Sequence, residues 1–249
     1  MSSAKKVVFI TGANTGLGLE AVKALLKSSV QYDIVLGSRK IENGHKAVKA
    51  LKKDFPDTSS TLSVVQVDLE SDESITNARD TISTQFGRLD ILANNAGGNF
   101  DGEVQNGTIS YREGWNKAWN LNVAGTMVIT SEFHVRTDTP SFKAMNASPP
   151  AGWPKEKVLN PTAMYRSFKT GMNMAMLEWH LMLKNDGVKV FAVSPGFLAT
   201  GLAGVGVEKL KSIGALDPAV GGEFVRGVVE GKRDQDVGKA IRRDSVQPW

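Results

Sequence analysis

The chain has 249 residues, 41% of them hydrophobic and 22% charged, which is ordinary for a water-soluble globular protein with a substantial core. The formal net charge is +4, but Lys and Arg are spread along the chain and form no basic stripe, so the sequence argues against a nucleic-acid partner. It has no cysteine, which excludes disulfides and cysteine-ligated zinc, and its three histidines form no recognisable metal-binding motif, so no metal is expected.

The N-terminus and the apolar runs give no sign of targeting or membrane insertion. Residues 1–6 lead into an apolar run that is too short for a signal peptide and lacks a cleavage site. No apolar run approaches the roughly 20 residues that a membrane-spanning helix needs. We therefore expect a cytoplasmic protein with no membrane partner.

Short β-branched runs alternate along the chain with longer segments of helical periodicity. The predicted strands cover residues 6–11, 33–38, 62–67, 89–93 and 188–193, with a last edge strand within 237–241. The predicted helices cover residues 17–29, 43–54, 71–86, 111–133 and 164–184. Strands that are apolar along their whole length are buried on both faces, so the alternation predicts an α/β fold, a Rossmann-type doubly wound parallel β-sheet with helices on both faces.

No linker divides the chain, so we expect a single domain over residues 1–249. One segment interrupts the alternation: a fifth strand is due after residue 133, but residues 134–161 are polar and rich in proline and form an irregular, insertion-like segment.

The turn after the first predicted strand is rich in glycine. Gly12, Gly16 and Gly18 lie in the stretch ITGANTGLGLE, at the opening of the first predicted helix. Glycine lets the backbone turn sharply and approach a pyrophosphate, whose charge is stabilised at a helix N-terminus. The stretch therefore predicts nucleotide binding. The alternative is a tight turn whose glycines serve only the packing of helix on strand.

The end of the second predicted strand distinguishes NAD from NADP. A site for NAD places a carboxylate there to accept from the ribose hydroxyls. Here the strand ends in Ser38, Arg39 and Lys40, and Asp33 lies at its opposite end. A guanidinium can bind the 2′-phosphate of NADP, and Ser38 can donate a hydrogen bond to it. NADP(H) is therefore the predicted cofactor, the alternative being that Arg39 is only a solvated charge.

Six motifs follow one another in a fixed order. They are TGANTGLG at 11–18, DL at 68–69, NNAG at 94–97, NLNVAG at 120–125, YRSFK at 165–169 and SPGFLAT at 194–200. With these motifs the chain resembles the classical short-chain dehydrogenase/reductase family over essentially its whole length, and its carbonyl-reductase-type members most. The resemblance implies an NADPH-dependent oxidoreductase that reduces a small-molecule ketone, aldehyde or quinone to an alcohol by hydride transfer.

Tyr165 and Lys169 lie four residues apart on a predicted helix and therefore share one face. A free phenol has a pKa near 10, and an adjacent ammonium is expected to lower that pKa toward the working range. The resemblance implies that Tyr165 gives its proton to the carbonyl oxygen and that Lys169 also holds the nicotinamide ribose. It assigns Asn122 to holding a linking water, with Asn120 as the weaker candidate. The alternative for the pair is two surface side chains on an amphipathic helix.

The resemblance also implies a set of cofactor contacts from the glycine turn and the strand ends, with Asp68 framing the adenine and Thr200 near the nicotinamide carboxamide. The set is Gly12, Asn14, Thr15, Gly16, Leu17, Gly18, Ser38, Arg39, Lys40, Asp68, Leu69, Asn95, Ala96, Gly97, Tyr165, Lys169, Pro195, Gly196, Leu198 and Thr200. Residues 201–214 match the position of the family's substrate lid, which would exclude water on closure.

The chain departs from the family pattern before Tyr165. The family's catalytic serine ends a fifth strand, and the nearest matches here are Ser148 and, less well placed, Ser141. We expect the strand and its serine to be missing. Phe168 also stands where the family has a small residue. Loss of an oxyanion-orienting donor typically costs about 10²–10³ in rate. The alternative function is therefore a catalytically weak or inactive NADP-binding protein, such as a truncated or sensor-like member of the family.

The resemblance leaves the oligomeric state open. Family members form homo-oligomers through helices equivalent to 111–133 and 164–184, whereas the segment before Tyr165 resembles that of monomeric members, in which it covers this surface.

Overall fold

The computed structural model describes residues 5–133, 163–204 and 206–247. Their contacts divide the chain into two compact units, each built from several segments. The first comprises the described parts of Met1–Gly97, Gly125–Val135 and Pro195–Asp234, and the second those of Gly98–Ala124, Arg136–Ser194 and Gln235–Trp249. That the whole chain acts as one domain stays a prediction.

The first unit contains a four-stranded parallel sheet with the strand order β3-β2-β1-β4. Its strands are β1 (Lys6–Ile10), β2 (Tyr32–Ser38), β3 (Thr61–Gln66) and β4 (Ile91–Ala93). The crossovers between successive strands contain α1 (Gly16–Leu26), α2 (Ile41–Asp54) and α3 (Asp72–Phe86). The order of the strands reverses between β1 and β4, and in open parallel sheets nucleotides bind beyond the carboxyl ends of the strands at such a point.

The first unit also contains two segments from later in the chain, the described parts of Gly125–Val135 and Pro195–Asp234. They include α6 (Gly125–Glu132), a 3₁₀ turn (Gly201–Ala203), α8 (Val207–Ser212), α9 (Pro218–Val229) and, at its end, part of a 3₁₀ turn (Asp234–Asp236). Of these elements only α6 lies within a predicted helix.

Helices cover both faces of the sheet, as predicted. Successive side chains of β1 point to opposite faces. Val8 and Ile10 pack in one core with residues of α1, α2 and α9. Phe9 points the other way, and its ring centroid lies 5.4 Å from that of Phe133, just after α6, which packs with α3. The doubly wound Rossmann-type architecture is therefore confirmed.

The second unit is built from helices and one pair of short strands. Its elements are α4 (Asp101–Gln105), α5 (Tyr111–Trp119), a π-helical turn (Asn120–Ala124), α7 (Ala163–Leu183), a 3₁₀ turn (Lys184–Asp186), β5 (Ala192–Val193) and β6 (Ala240–Ile241). The two strands pair in parallel, which confirms the predicted edge strand within 237–241. Ala118, Val123 and Phe168 form a buried cluster beside which Tyr165 and Met172 pack.

Two predicted elements differ from the observed ones. The predicted helix over 111–133 is split into α5, the π-helical turn and α6, because the turn contains Asn122, whose side chain bonds to backbone groups. π-Helical turns are rare and occur frequently at functional sites. The predicted strand over 188–193 forms regular pairs only at Ala192–Val193. The interrupted segment 134–161 lies outside the described residues, so the absence of a fifth strand stays a prediction.

No described helix is both long enough and apolar enough to cross a membrane.

The close approach of α9 to α1 requires glycine. A Cβ added at Gly222 would lie 2.5 Å from the carbonyl oxygen of Glu20 in α1, so Gly222→Ala should push the two helices apart. We expect it to lower the free energy of unfolding by about 1–3 kcal/mol, measured by urea denaturation.

The matched control is Gly227→Ala in the same helix, where the nearest atom to an added Cβ is the Lys232 Cδ, at an ordinary 3.5 Å. Alanine has the better helix propensity, so this variant should be neutral or more stable by up to about 1 kcal/mol. Equal destabilisation by the two variants would show that the α1–α9 contact is not the cause.

Candidate active site

In the first unit the glycine turn leads from β1 into the exposed start of α1. Gly12 and Gly16 have φ values of 63° and 57°, which only glycine adopts readily. Thr15, at the N-cap of α1, makes no side-chain capping bond, and the first turn of the helix carries no acidic residue. The first N–H groups of a helix have no intrahelical partner and carry partial positive charge. This end of α1 is therefore suited to an anionic group.

Asn95 holds the glycine turn in place. Its Nδ2 donates to the carbonyl oxygens of Thr11, at 2.8 Å, and Gly12, at 3.2 Å. In return, the Thr11 hydroxyl accepts the backbone N–H groups of Asn95, at 3.0 Å, and Ala96, at 2.9 Å. A Cβ at Gly18 would lie 2.4 Å from the Asn95 Nδ2. Asn95 and Gly18 thus shape the turn, and direct contact of Asn95 with a cofactor stays a prediction.

The end of β2 exposes two cations. Arg39 and Lys40 are exposed, whereas Ser38 is buried and its hydroxyl donates to the carbonyl oxygen of Lys40 at 2.8 Å. The single hydroxyl proton of Ser38 is thereby used within the turn. Asp33 lies at the far end of the strand and accepts from the hydroxyl of Thr61. Arg39 and Lys40 are therefore the groups at this end that are free to meet a phosphate, and the donation predicted for Ser38 is untested.

Asp68 is held by its own loop. Its Oδ1 accepts the backbone N–H of Glu70 at 3.1 Å, and its own N–H donates to the hydroxyl of Ser74 at 2.9 Å. Leu69 is buried, and a Cβ at Gly125 would lie 2.3 Å from its carbonyl oxygen. The predicted contacts of Asp68 and Leu69 with adenine stay predictions.

Thr200 lies beside the glycine turn, as a cofactor contact from both would require. Its Cβ lies 3.9 Å from the position that a Cβ on Gly16 would occupy. The segment after it is tied at its base, because Leu216 donates to the carbonyl oxygen of Phe197 and accepts from the N–H of Ala199, both at 2.8 Å. Ala199, Leu210 and Ala215 form a small buried cluster inside this segment. The residues that flank 201–214 are thus bonded to each other, and Leu210 anchors this segment against Ala199 and Ala215. Lid closure stays a prediction.

In the second unit Asn122 is buried and its side chain is fully engaged. Its Oδ1 accepts the N–H of Gly98 at 3.1 Å, and its Nδ2 donates to the carbonyl oxygens of Gly98, at 3.0 Å, and Ala118, at 2.8 Å. The amide therefore clamps the π-helical turn to the segment that begins at Gly98. Asn120 is exposed, so burial favours Asn122 as the functional asparagine. Its water-holding role stays a prediction.

Tyr165 and Lys169 lie together on α7, as the spacing predicts. The Lys169 Nζ is 5.7 Å from the ring centroid of Tyr165 and 5.6 Å from that of Phe168. The rings of Tyr165 and Phe168 meet edge to face, with centroids 5.2 Å apart and an interplanar angle of 69°. Phe168 is fully buried, so its bulk is accommodated in the core of the unit, where Tyr165 packs against the same cluster.

The electrostatics differ from the expectation for the phenol. Burial raises the pKa of Tyr165, whereas an ammonium beside the hydroxyl was expected to lower it. The Lys169 ammonium lies over the ring face, 5.7 Å from the centroid, and burial lowers its own pKa to about 8. Desolvation therefore disfavours the charged form of both groups. Tyr165 holds its proton at neutral pH, which is the state that a proton donor needs.

One prediction for the site stays open, and the structure adds one residue that the sequence did not mark. Ser148 and Ser141, the candidates for the catalytic serine, lie outside the described residues. Conversely, sequence analysis missed Asp101, a buried residue whose carboxylate accepts the backbone N–H of Tyr165. No motif spacing marks it, and only its position four residues after the NNAG motif hints at the site. Among the described residues no cluster of His, Cys, Asp or Glu could hold a metal ion.

Comparison with known proteins gives consistent results. The family model described as short chain dehydrogenase matches residues 6–210. The chain is 42% identical to the short-chain dehydrogenase/reductase eupG of Phoma sp, with 98% of each chain covered. It is 40% identical to the short-chain dehydrogenase/reductase tropE of Talaromyces stipitatus, with 99% of each covered. The alignment with eupG spans 274 positions against 249 residues here, so at least 25 residues of that relative stand opposite gaps in this chain.

Solved structures share the fold. An alcohol dehydrogenase from the archaeon Thermococcus sibiricus, complexed with 5-hydroxy-NADP, superposes with a TM-score of 0.73 at 21% identity, with 96% of each chain covered. An actinorhodin polyketide ketoreductase with NADPH superposes with a TM-score of 0.69 at 20% identity, covering 96% of this chain and 95% of that one.

The lowered pKa of Lys169 predicts a pH-dependent stability. Between about pH 8 and its ordinary value of 10.5 the unfolded chain binds a proton that the folded chain lacks, so the free energy of unfolding should rise with pH. Lys169→Met removes this group. We expect the variant to be more stable than the wild type below pH 8 and to lose about 1–3 kcal/mol of that advantage by pH 10.5.

The measurement is urea denaturation of both proteins across this pH range. Lys53→Met, at an exposed position near the end of α2, is the matched control and should differ from the wild type by the same amount at every pH. A constant difference for Lys169→Met as well would contradict the burial of its ammonium.

Proposed function

The chain belongs to the short-chain dehydrogenase family, and from this premise we propose that it is an NADP(H)-dependent oxidoreductase that reduces a ketone, aldehyde or quinone to an alcohol. The observation that carries the proposal is the partly buried pair of Tyr165 and Lys169 on α7, with Asn122 clamped in the same unit. The alternative, two surface side chains on an amphipathic helix, is disfavoured because both groups are desolvated.

The choice of NADP(H) rests on two supports. Arg39 and Lys40 are exposed at the end of β2, where a carboxylate would favour NAD. In addition, structures of the same fold were solved with 5-hydroxy-NADP and with NADPH. In the proposed site the open N-terminus of α1 and the glycine turn hold the pyrophosphate, and Arg39 holds the 2′-phosphate.

The proposed reaction balances with one proton from the protein. When bound, the nicotinamide would supply the hydride that the carbonyl carbon accepts. Tyr165 donates its hydroxyl proton to the carbonyl oxygen, which leaves a phenolate on the same face of α7 as Lys169, whose Nζ lies 5.7 Å from the ring centroid. In alcohol oxidation Tyr165 takes the proton back. Burial of Tyr165 keeps the phenol protonated until the oxygen of the substrate develops negative charge.

A second candidate function is an NADP-binding protein with weak or no turnover. The observation that favours it is the alignment with eupG, in which at least 25 residues of the relative have no counterpart here. The prediction that the strand and serine before Tyr165 are missing points to the same candidate. Both candidates bind NADP(H), and they differ in turnover.

We further propose a cytoplasmic location and a small-molecule partner. The oligomeric state stays open between a monomer and a homo-oligomer.

Tyr165→Phe tests the proton donor. The variant keeps the ring and its edge contact with Phe168 but loses the acid, so kcat for NADPH-dependent reduction should fall by about 10²–10⁴. The measurement is NADPH oxidation against a panel of aromatic ketones, quinones and aldehydes, with the NADPH Kd expected to stay within about twofold. Unchanged turnover would refute Tyr165 as donor. NADPH binding by the wild type without turnover of any substrate would favour the second candidate.

Arg39→Asp tests the choice of cofactor. A carboxylate at this position should repel the 2′-phosphate and accept from a ribose hydroxyl, so the Kd for NADPH should rise by about tenfold or more while that for NADH changes little or falls. Lys53→Asp, the same charge change at an exposed position of α2, is the control for long-range electrostatics. Equal weakening of NADPH and NADH by Arg39→Asp would refute the assignment.

A further inference from the structure

We propose that Asp101 is a positioning residue for the proton donor: its carboxylate caps the first turn of α7 and thereby fixes the backbone of Tyr165. The inference rests on the proposed function, because it concerns the placement of the group that protonates the substrate. Nothing in the six motifs assigns a role to Asp101.

The first turn of the helix that carries Tyr165 receives a carboxylate from another helix. Tyr165 is the third residue of α7, and the first four N–H groups of a helix have no intrahelical acceptor. A side-chain oxygen at this end of a helix can accept one of these N–H groups. Here the carboxylate of Asp101, from α4, accepts the N–H of Tyr165. A carboxylate at a helix N-terminus also interacts favourably with the helix dipole.

The carboxylate is held in an environment that opposes its charge. Asp101 is buried, and burial raises its pKa, against which the hydrogen bonds from the Tyr165 backbone and the Asn99 side chain act. Its Oδ2 is buried and has no hydrogen-bond partner among the described residues. A buried, incompletely paired carboxylate lowers stability. The α4 helix has five residues, so capping of α4 itself is a weak reason for its presence.

Asp101 also lies at the end of a short segment, Gly98–Asp101, that contacts both the π-helical turn with Asn122 and the start of α7. Gly98, three residues earlier, exchanges two hydrogen bonds with the Asn122 side chain in the π-helical turn. Asn99 accepts the N–H of Asp101 at 2.9 Å, and Phe100 packs against the buried cluster that contains Phe168. The segment Gly98–Asp101 therefore holds Asn122 at one end and the backbone of Tyr165 at the other. A displacement of a catalytic group by about 1 Å can lower the rate by about 10².

The geometry indicates that Asp101 acts through the backbone. The contact of the Asp101 carboxylate is with the backbone N–H of Tyr165. The amide oxygen of asparagine can accept the same N–H. Asp101→Asn should therefore keep the position of Tyr165, whereas Asp101→Leu, of similar size and without an acceptor, should not.

The kinetic test compares these two variants in the full chain. Asp101→Leu should lower kcat by at least tenfold and leave the NADPH Kd within about twofold, since the glycine turn belongs to the other unit. Asp101→Asn should keep kcat within about threefold of the wild type. Wild-type kcat in Asp101→Leu, or an equal loss in both variants, would overturn the proposal.

Ser110→Ala is the control for a general loss of a helix cap. Ser110 caps α5 in the same unit, where its hydroxyl accepts the N–H of Glu113 at 3.2 Å. This variant should lower the melting temperature and leave kcat unchanged. A comparable fall in kcat would show that loosening of the unit, not the position of Tyr165, lowers the rate, and would overturn the proposal.

Hydrogen exchange separates this inference from the proposed function, since it needs no substrate. The amide of Tyr165 should exchange faster in Asp101→Leu than in the wild type, with protection restored in Asp101→Asn, whether or not the wild type turns over a carbonyl. Unchanged protection of this amide in Asp101→Leu would overturn the cap. Absence of turnover in the wild type with protection as expected would overturn the reductase and leave the cap standing.

Discussion

The shape of the glycine turn in the first unit depends on hydrogen bonds between the segments that follow β1 and β4. A turn that exposes backbone N–H groups to an anion leaves its own carbonyl groups in need of donors. The Asn95 amide supplies them to Thr11 and Gly12, and the Thr11 hydroxyl accepts two N–H groups in return. An alanine Cβ at Gly18 would collide with that amide, so the position of the Asn95 side chain requires glycine at residue 18. The NNAG motif is therefore as much a part of the glycine turn as the glycines themselves.

In the second unit another asparagine side chain bonds to the backbone of an irregular turn. The Asn122 side chain satisfies two carbonyl groups and one N–H, and it does so in a π-helical turn, where the regular helical bonds are interrupted. Each unit thus has a buried or partly buried asparagine that ties an irregular backbone to a neighbouring segment. Side-chain amides suit this role because they donate and accept at once. An irregular backbone beside a reacting group is stable only when its polar groups are paired in this way.

The proposed catalytic pair, Tyr165 and Lys169, is placed at the expense of stability. Burial disfavours the charged forms of Tyr165, Lys169 and Asp101, three titratable groups in one unit. Such groups would be exposed in a helix bundle that had only to fold. Burial keeps a proton on the phenol of Tyr165, which is the state that the proposed reduction requires. The aromatic packing of Phe168 against Tyr165 supplies part of the compensating apolar contact.

The sequence by itself determined the class of fold, the glycine turn and the adjacency of Tyr165 and Lys169, because each depends on residues close together in the chain. It did not predict α9, whose glycines lower helix propensity and which packs closely against α1 at Gly222. Only the tertiary structure decided that Asn122 is a clamp and that Asp101 caps α7. It also decided that burial, not the lysine charge, governs the pKa of Tyr165. These features arise from contacts between distant segments and from desolvation, and neither leaves a pattern in the order of the residues.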